Sequence, residues 1–175
     1  MKYKALVVAS EWQEANSRFL TTFNFMKKGA SLQRVFFYLR SKLFGGMSIF
    51  SKIIAGEIPS YKIAENEKFY AFLDIFPLTE GHVLVVPKIE VDKIFDVPDT
   101  YLSELLIFAK PIAAAIEKSF PCNRVGMVTV GLEVPHAHLH LIPINAAADM
   151  EFSQPKLSLS TEEFKAIQNL IISKL

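Results

Sequence analysis

The stretch from Val134 to Ile142 reads VPHAHLHLI, and it contains three of the four histidines of this 175-residue chain. Histidine and apolar residues alternate along it, which is typical of a β-strand because successive side chains of a strand point to opposite faces. His136, His138 and His140 are therefore predicted to lie on one face. The apolar residues between them are predicted to pack into a core on the other face. Three imidazoles in a row indicate a function rather than a packing role.

The chemistry of this row allows either a metal or an anion. Residues two apart on a strand are separated by about 7 Å at Cα. Two neighbouring histidines can therefore reach one zinc ion at about 2 Å, whereas all three cannot unless the strand bends. A zinc site would need further ligands, and the single cysteine, Cys122, lies in a predicted turn. Phosphate suits an extended row better, because an imidazole can act near neutral pH as a nucleophile, a general acid or a hydrogen-bond donor. We therefore predict no metal and keep zinc as the weaker alternative.

Two further motifs precede the histidine row. Ile49–Pro59 reads IFSKIIAGEIP, and Ala71–Ile75 reads AFLDI, followed by Pro77 and by GHVLVVPK over Gly81–Lys88. The three motifs together extend from residue 48 to about residue 143. In their order and spacing they resemble the histidine triad (HIT) superfamily, and within it the Hint-like nucleoside phosphoramidase branch. The signature of that superfamily is His-φ-His-φ-His-φ-φ, where φ is apolar.

The resemblance implies an α+β fold, with a HIT-like five-stranded antiparallel sheet, one long helix, a short N-terminal helix and a C-terminal helix. It implies a nucleotide hydrolase or transferase that acts at the α-phosphate of adenosine or other purine phosphoramidates, or of aminoacyl adenylates. Such an enzyme would form a phosphohistidyl intermediate and release AMP. The implied partners are a purine nucleotide substrate and a second copy of the chain in a homodimer. No cofactor and no nucleic acid partner are expected.

The resemblance also implies catalytic roles for all four histidines. His138, the middle residue of the triad, is implied as the nucleophile. His136 and His140 would flank the phosphate and assist proton transfer. His82 would be a fourth histidine that supports the triad.

Four other residues are implied as nucleotide-binding. Asp74 matches the family's acceptor for the ribose hydroxyl groups, and Ile75, Ile53 and Phe50 match its apolar base pocket. Without the resemblance, Asp74 would be interpreted as a turn residue that precedes Pro77.

The chain departs from the family pattern before and after the central strands. Many relatives carry Asn-x-Gly-x-x-x-Gly-Gln before the triad, whereas Val128–Val134 reads VTVGLEV, which is shorter and lacks the glutamine or serine near the triad. Glu90 stands where a histidine often follows Pro-Lys. If Glu133 and Glu90 face the site, their charges would repel a polyphosphate. We therefore hypothesise a small leaving group rather than a dinucleoside polyphosphate substrate.

Composition sets the broad class of the protein. The residues are 51% hydrophobic and the net charge is +1, so a packed core is expected and no general affinity for nucleic acid is indicated. One cysteine excludes an internal disulfide framework and fits a reducing compartment, which favours a cytoplasmic location. No apolar run reaches the roughly 18 residues that a membrane-spanning helix needs.

The first 46 residues differ from the rest of the chain. They carry eight Lys and Arg against two Glu, which leaves 11 Lys and Arg against 16 Asp and Glu in the remainder. We predict a HIT domain over residues 47–175, preceded by a basic extension over residues 1–46 that is poorly packed or reflects a misassigned start. In the alternative interpretation, Met26–Phe44 forms a basic amphipathic helix on an anionic membrane surface. We favour the first.

Periodicity predicts the remaining elements. The predicted strands are Tyr61–Ala64, Phe69–Asp74, His82–Val86, Arg124–Val130 and Val134–Ile142, and the predicted helices are Ser51–Ala55, about Asp99–Ser119 and one opened by the capping box Ser160–Glu163. Pro111 lies inside the long helix and predicts a kink or a break there.

Two other functions compete with the phosphoramidase interpretation. The shortened loop before the triad is consistent with a non-catalytic purine-nucleotide-binding or protein-interaction module that has the HIT fold. A dinucleoside polyphosphate hydrolase is the other alternative. The presence of all four histidines favours an enzyme, since a binding module has no chemical need for them.

Overall fold

The structure is a computed structural model, and it describes residues 48–175. The helices and strands, labelled in chain order, are α1 (Ile49–Ile54), β1 (Lys62–Glu65), β2 (Phe69–Leu73), β3 (Val83–Pro87), α2 (Asp99–Ser119), β4 (Arg124–Val128), β5 (Leu139–Ile144) and α3 (Thr161–Ile172). Short 3₁₀ turns lie at Ile94–Asp96 and Ala147–Met150. The predicted helix Met26–Phe44 lies outside the described residues. In the part of the chain that is described, no helix is both long and apolar enough to cross a membrane.

The strands of residues 48–175 form one antiparallel sheet in the order β1-β2-β3-β5-β4. This architecture confirms the predicted α+β fold with a five-stranded antiparallel sheet. The central position of β3 and β5 matters for function, because their pairing aligns Leu84 with His140 and Val83 with Leu141. The histidine strand is therefore held by partners on both sides.

The two faces of the sheet bury different sets of residues. One face packs against α2 and α3 in a large apolar core that includes Val83, Val85, Leu139 and Leu141. The other face packs against α1 in a smaller cluster, whose buried members are Phe50, Ile53, Tyr70, Phe72, Leu84 and Val86. The predicted alternation is correct for β5. Leu139 and Leu141 belong to the large core. Leu84, the cross-strand partner of His140, belongs to the smaller cluster on the opposite face.

The predicted strand from Val134 to Ile142 is wrong in its first half, since β5 begins only at Leu139. Before that point the backbone bonds elsewhere: the His136 N–H donates to the Val134 carbonyl at 2.8 Å, and the Ala137 N–H donates to the Val91 carbonyl at 2.6 Å. His136 and His138 therefore lie on an irregular segment that leads into the strand. This segment turns their side chains towards different partners, as described below.

The long helix α2 matches the predicted bounds, but Pro111 does not split it. The proline lies on the exposed side of the helix. The carbonyl that its missing N–H leaves unpaired is that of Ile107, a residue that is 70% exposed. Because this carbonyl lies on the exposed side, the helix continues across the proline.

The C-terminal helix begins as predicted. The Ser160 hydroxyl accepts a hydrogen bond from the Glu163 N–H at 3.2 Å, and the Glu163 carboxylate accepts one from the Ser160 N–H at 2.7 Å. These reciprocal bonds form the capping box and satisfy two backbone donors at the start of α3.

Candidate active site

The four histidines of the chain form one buried cluster at the centre of the sheet. His82 directly precedes β3, His136 and His138 precede β5, and His140 lies within β5. The exposed fraction is 0% for His136 and 1% for His82, against 6% for His138 and 7% for His140. The open side of the cluster therefore lies at His138 and His140. Buried imidazoles require hydrogen-bond partners, and these partners determine which nitrogen of each ring carries the proton.

His138 has the nitrogen arrangement of a nucleophile. Its Nδ1 lies 2.6 Å from the backbone carbonyl oxygen of His136. A carbonyl can only accept, so Nδ1 carries the proton and donates it. In the neutral ring Nε2 then holds a lone pair, and it has no hydrogen-bond partner within residues 48–175.

His140 has the opposite arrangement, and His82 determines it. The Leu78 N–H donates to Nδ1 of His82 at 3.2 Å, so the neutral His82 ring carries its proton on Nε2. That Nε2–H donates to Nδ1 of His140 at 2.9 Å. His140 consequently carries its own proton on Nε2, as a hydrogen-bond donor. The rings of His138 and His140 lie with centroids 4.9 Å apart, so a lone pair and an N–H donor occupy adjacent rings.

His136 is engaged by the protein at both ring nitrogens. Its Nε2–H donates to the Pro87 carbonyl at 2.8 Å, and its Nδ1 accepts a hydrogen bond from the Ser48 hydroxyl at 2.7 Å. No nitrogen of this ring is left for a phosphate. The expectation that His136 flanks the phosphate and assists proton transfer stays a prediction. The His136 backbone carbonyl accepts the hydrogen bond from the Nδ1–H of His138.

The environment keeps all four imidazoles neutral near pH 7. Burial, which penalises the charged ring, is the largest cause that lowers the pKa of His82, His136 and His138 from 6.5. Burial, followed by the neighbouring His138, His82 and Lys156, lowers the pKa of His140 to about 2. Asp74 opposes the shift at His82, but burial outweighs it. His140 is therefore a neutral hydrogen-bond donor rather than an imidazolium acid.

The structure brings two of the four predicted nucleotide-binding residues, Phe50 and Asp74, into contact with this cluster. The Phe50 ring lies edge-on to His138 at a centroid distance of 5.2 Å, and Ile53 is buried in the same apolar cluster as Phe50. Asp74 Oδ2 lies 3.7 Å from His82 Nε2. Ile75 is 44% exposed and belongs to neither apolar cluster.

Asp74 also stabilises the turn before Pro77, which was the alternative interpretation of this residue from the sequence. Its Oδ1 accepts a hydrogen bond from the Phe76 N–H at 2.9 Å. One carboxylate oxygen therefore shapes the turn before Pro77, and the other lies beside His82. The two interpretations of Asp74 are compatible.

Sequence reasoning missed three residues at the site. Ser48, only 3% exposed, contacts His136. The Phe152 ring lies edge-on to His140 at 4.8 Å, and the Lys156 ammonium lies 5.0 Å from the centroid of the Phe152 ring. These residues come from the start of α1 and from the segment after β5. No motif or periodicity marks them, because only the folded chain brings them to the triad.

Within residues 48–175, Asp74, His82 and His140 form a group that could hold a metal, since one ligand atom of each lies within 4.8 Å of the others. Binding would require lone pairs on His82 Nε2 and His140 Nδ1. The Leu78 N–H donates to Nδ1 of His82, so the His82 proton is on Nε2. This proton lies between His82 Nε2 and His140 Nδ1, the two nitrogens that would have to bind the metal. The residues are arranged to share a proton rather than to bind a metal.

Comparisons with known proteins show which family the chain resembles. A family model described as HIT domain matches residues 55–147. Adenosine 5'-monophosphoramidase HNT1 of Saccharomyces cerevisiae is 43% identical over 96 residues, which are 54% of this chain and 61% of the yeast protein. Adenosine 5'-monophosphoramidase hnt1 of Schizosaccharomyces pombe is 35% identical over 130 residues, covering 73% of this chain and 97% of that protein. Among solved structures, a HIT-like protein of Bartonella henselae matches with a TM-score of 0.64 at 29% identity, covering 73% of this chain and 96% of that one. The match thus spans less than two thirds of the first relative and nearly all of the other two.

Proposed function

The chain belongs to the HIT family, and from this premise we propose that it is a nucleotide hydrolase that releases AMP from adenosine phosphoramidates or aminoacyl adenylates. The first two relatives described above carry the name adenosine 5'-monophosphoramidase. The observation that carries the proposal is the lone pair on His138 Nε2, next to a ring that presents an N–H donor.

In the first step, His138 Nε2 attacks the α-phosphorus. An N–P bond forms, and the bond between phosphorus and the leaving group breaks, with its electron pair going to the leaving group. An amine leaving group takes a proton from water and leaves hydroxide, whereas the carboxylate that leaves an aminoacyl adenylate needs no proton. The resulting ring carries phosphorus on Nε2 and a proton on Nδ1, and the His136 carbonyl that accepts this proton stabilises its positive charge.

In the second step, water attacks the phosphorus of the phosphohistidyl intermediate and loses a proton to solvent. The N–P bond breaks, its electron pair returns to His138 Nε2, and AMP leaves. In both steps the Nε2–H of His140 is suited to donate a hydrogen bond to a phosphoryl oxygen. Because its pKa is lowered to about 2, His140 donates a hydrogen bond rather than a whole proton.

The same proposal assigns nucleotide binding to the α1 side of the sheet. Phe50 supplies apolar surface beside His138, and Ile53 supplies further apolar surface in the same cluster as Phe50. Asp74 supplies a carboxylate for the ribose hydroxyl groups, and Ile75 supplies exposed apolar surface next to it in the chain.

The test is AMP release from an adenosine phosphoramidate by the full chain and by its His138→Asn variant. We expect release by the wild type and none above background by the variant, because asparagine cannot form the covalent intermediate. The variant should keep the wild-type Kd for AMP, since binding rests on Asp74 and the apolar residues. The wild type quenched during turnover should gain the mass of one adenylyl group, and the variant should not.

Two results would contradict the proposal. Equal AMP release by both proteins would exclude His138 as the nucleophile. A folded wild type that binds AMP but releases none would favour the alternative of a non-catalytic nucleotide-binding module.

We also propose that the leaving group is small. Glu90 contacts the start of α1 beside His136, and Glu133 precedes the triad segment on the exposed surface. The two carboxylates add negative charge near the site, which disfavours polyphosphates. A higher kcat/KM for diadenosine polyphosphate than for adenosine phosphoramidate would refute this and favour the dinucleoside polyphosphate hydrolase.

A homodimer is the proposed assembly, and the cytoplasm is the proposed compartment. Strand β4 forms one edge of the sheet, and its Met127 is 50% exposed. Helix α2 exposes Leu106 and Ile107 at 51% and 70%. An open strand edge and exposed apolar residues fit an interface between copies. Light scattering on the purified chain would test this, with a monomer at micromolar concentration contradicting it.

A further inference from the structure

The carboxylate of Glu90 forms a clamp on the residues that begin α1. Its Oε1 accepts a hydrogen bond from the Ser48 N–H at 3.0 Å, and its Oε2 accepts one from the Ser51 hydroxyl. These contacts join positions that are 42 and 39 residues apart in the sequence. The hydroxyl groups of the same two serines both lie near Nδ1 of His136.

The two serine hydroxyls compete for His136. Ser48 Oγ lies 2.7 Å from His136 Nδ1, and Ser51 Oγ lies 3.4 Å from the same nitrogen. Because His136 Nε2 donates to the Pro87 carbonyl, Nδ1 of the neutral ring can only accept, and it has one lone pair. A hydroxyl has one proton to donate. The Ser51 proton goes to Glu90. The Ser48 hydroxyl lies 3.1 Å from Ser51 Oγ and 2.7 Å from His136 Nδ1, and the shorter contact assigns its proton to His136.

The position of His136 controls the nucleophile. The His136 carbonyl receives the Nδ1–H of His138 at 2.6 Å and so keeps the lone pair on Nε2. The ring and this carbonyl belong to the same residue, so an effect on His138 requires that a change of partner at the ring displaces the carbonyl. The lone pair of His138 then distributes between the two ring nitrogens, and only one of them is placed for attack.

We propose that Glu90 is a positioning residue for the nucleophile: it holds the Ser51 hydroxyl away from His136 and so fixes the carbonyl that orients His138. This inference rests on the proposed hydrolase function. It assigns a role to a residue that departs from the family pattern, and the role is transmitted through two serines rather than through contact with substrate.

The test uses Glu90→Gln in the full chain. Glutamine keeps an oxygen for the Ser48 N–H but presents an NH₂ group to Ser51, which frees the Ser51 hydroxyl to compete for His136. We expect kcat for AMP release to fall about tenfold, the cost of about one misplaced hydrogen bond, with KM within about twofold. The matched control is Glu57→Gln, which removes the same charge from an exposed carboxylate just after α1.

A double variant separates the effect of the released Ser51 hydroxyl from the effect of losing the Glu90 charge. Ser51→Ala combined with Glu90→Gln removes the competing hydroxyl, so kcat should return to within about twofold of the Ser51→Ala single variant. The proposal is overturned if Glu90→Gln matches Glu57→Gln, or if the double variant stays as slow as Glu90→Gln.

A spectroscopic measurement makes the inference independent of turnover. In ¹⁵N-histidine-labelled wild type, long-range ¹H–¹⁵N spectra should show the Nδ1–H form of His138 and the Nε2–H form of His136. Glu90→Gln should move the ¹⁵N chemical shifts of His138 towards the averaged values of two exchanging tautomers. Glu57→Gln should leave these shifts unchanged. Unchanged spectra in Glu90→Gln would refute the inference even if the wild type released no AMP, a result that would by itself refute only the proposed function.

Discussion

Acidification from pH 7.5 to pH 5.5 should destabilise the folded protein strongly, because the fold keeps every histidine of the chain neutral. All four side chains are at most 7% exposed, and burial is the first cause that lowers each pKa. A histidine whose pKa is lower in the folded than in the unfolded state binds its proton preferentially when unfolded. Stability is therefore highest above pH 6.5 and is lost as the pH falls through 6.5 towards the folded pKa.

The magnitude follows from proton linkage. A histidine that stays neutral in the folded state and has a pKa of 6.5 in the unfolded state costs RT ln(1 + 10^(6.5−pH)), which is about 0.1 kcal/mol at pH 7.5 and about 1.4 kcal/mol at pH 5.5. His140, with a folded pKa of about 2, stays neutral over this range and contributes this full amount. Four such groups set an upper limit of about 5 kcal/mol, which is comparable to the whole stability of many domains.

Carboxylates contribute little in the same window. The pKa values of Glu65, Asp149 and Glu163 are lowered by hydrogen bonds, so their stabilising effect is lost only below their ordinary values of 4.5, 3.8 and 4.5. The raised pKa of the Cys122 thiol acts only at alkaline pH. A loss of stability between pH 7.5 and pH 5.5 therefore reports on the histidines.

The assay is equilibrium urea unfolding of the full chain at pH 7.5 and pH 5.5, with proton uptake on unfolding measured at the lower pH. We expect a loss of between about 1.4 and 5 kcal/mol, and an uptake of up to about 3.6 protons. The His140→Asn variant should lose about 1.4 kcal/mol less than the wild type over the same interval, whatever its own stability. A loss below about 1 kcal/mol with uptake of fewer than one proton would refute the reasoning, since the folded protein would then hold protonated imidazoles.

Two further predictions follow from the same structure. Burial lowers the pKa of His138, so kcat for AMP release should stay level as the pH falls to 6.5 and decline only below it; a pH–rate profile with its acid limb centred at or above 6.5 would show that the nucleophile is not desolvated. Gly81→Ala should destabilise the protein by about 2–4 kcal/mol, because Gly81 has φ of +83° and a Cβ there would overlap the Phe120 ring. Gly56→Ala is the matched control, because Gly56 has φ of +77° and a Cβ there would meet nothing within 4 Å. It should lower the free energy of unfolding in urea by only about 1 kcal/mol. Equal losses in the two variants would show that the Phe120 contact does not contribute.

Periodicity in the sequence predicted most of the secondary structure, because local alternation and helical spacing decide which face of an element is buried. Leu139 and Leu141 pack into the large core as their alternation with His140 requires. The bounds of α2 match the spacing of its apolar residues. The clear error lies at Val134–His138, where hydrogen bonds to Val91 and within the segment replace the strand pairing. At Pro111 the predicted alternative of a break is wrong, since the helix continues across the proline.

From the sequence alone, the triad and its two accompanying motifs predicted the four histidines, Phe50 and Asp74 as site residues, but not Ser48, Phe152 or Lys156. The sequence could not determine which nitrogen of each ring carries a proton. Backbone groups that the fold brings to each ring determine it. They are the Pro87 carbonyl for His136, the Leu78 N–H for His82, and the His136 carbonyl for His138. A residue type gives an imidazole its two nitrogens and its ordinary pKa, but only the folded backbone places a fixed dipole beside one of them and excludes water from both. Tertiary structure therefore decided that His138 presents a lone pair, that His140 presents an N–H, and that His136 presents neither.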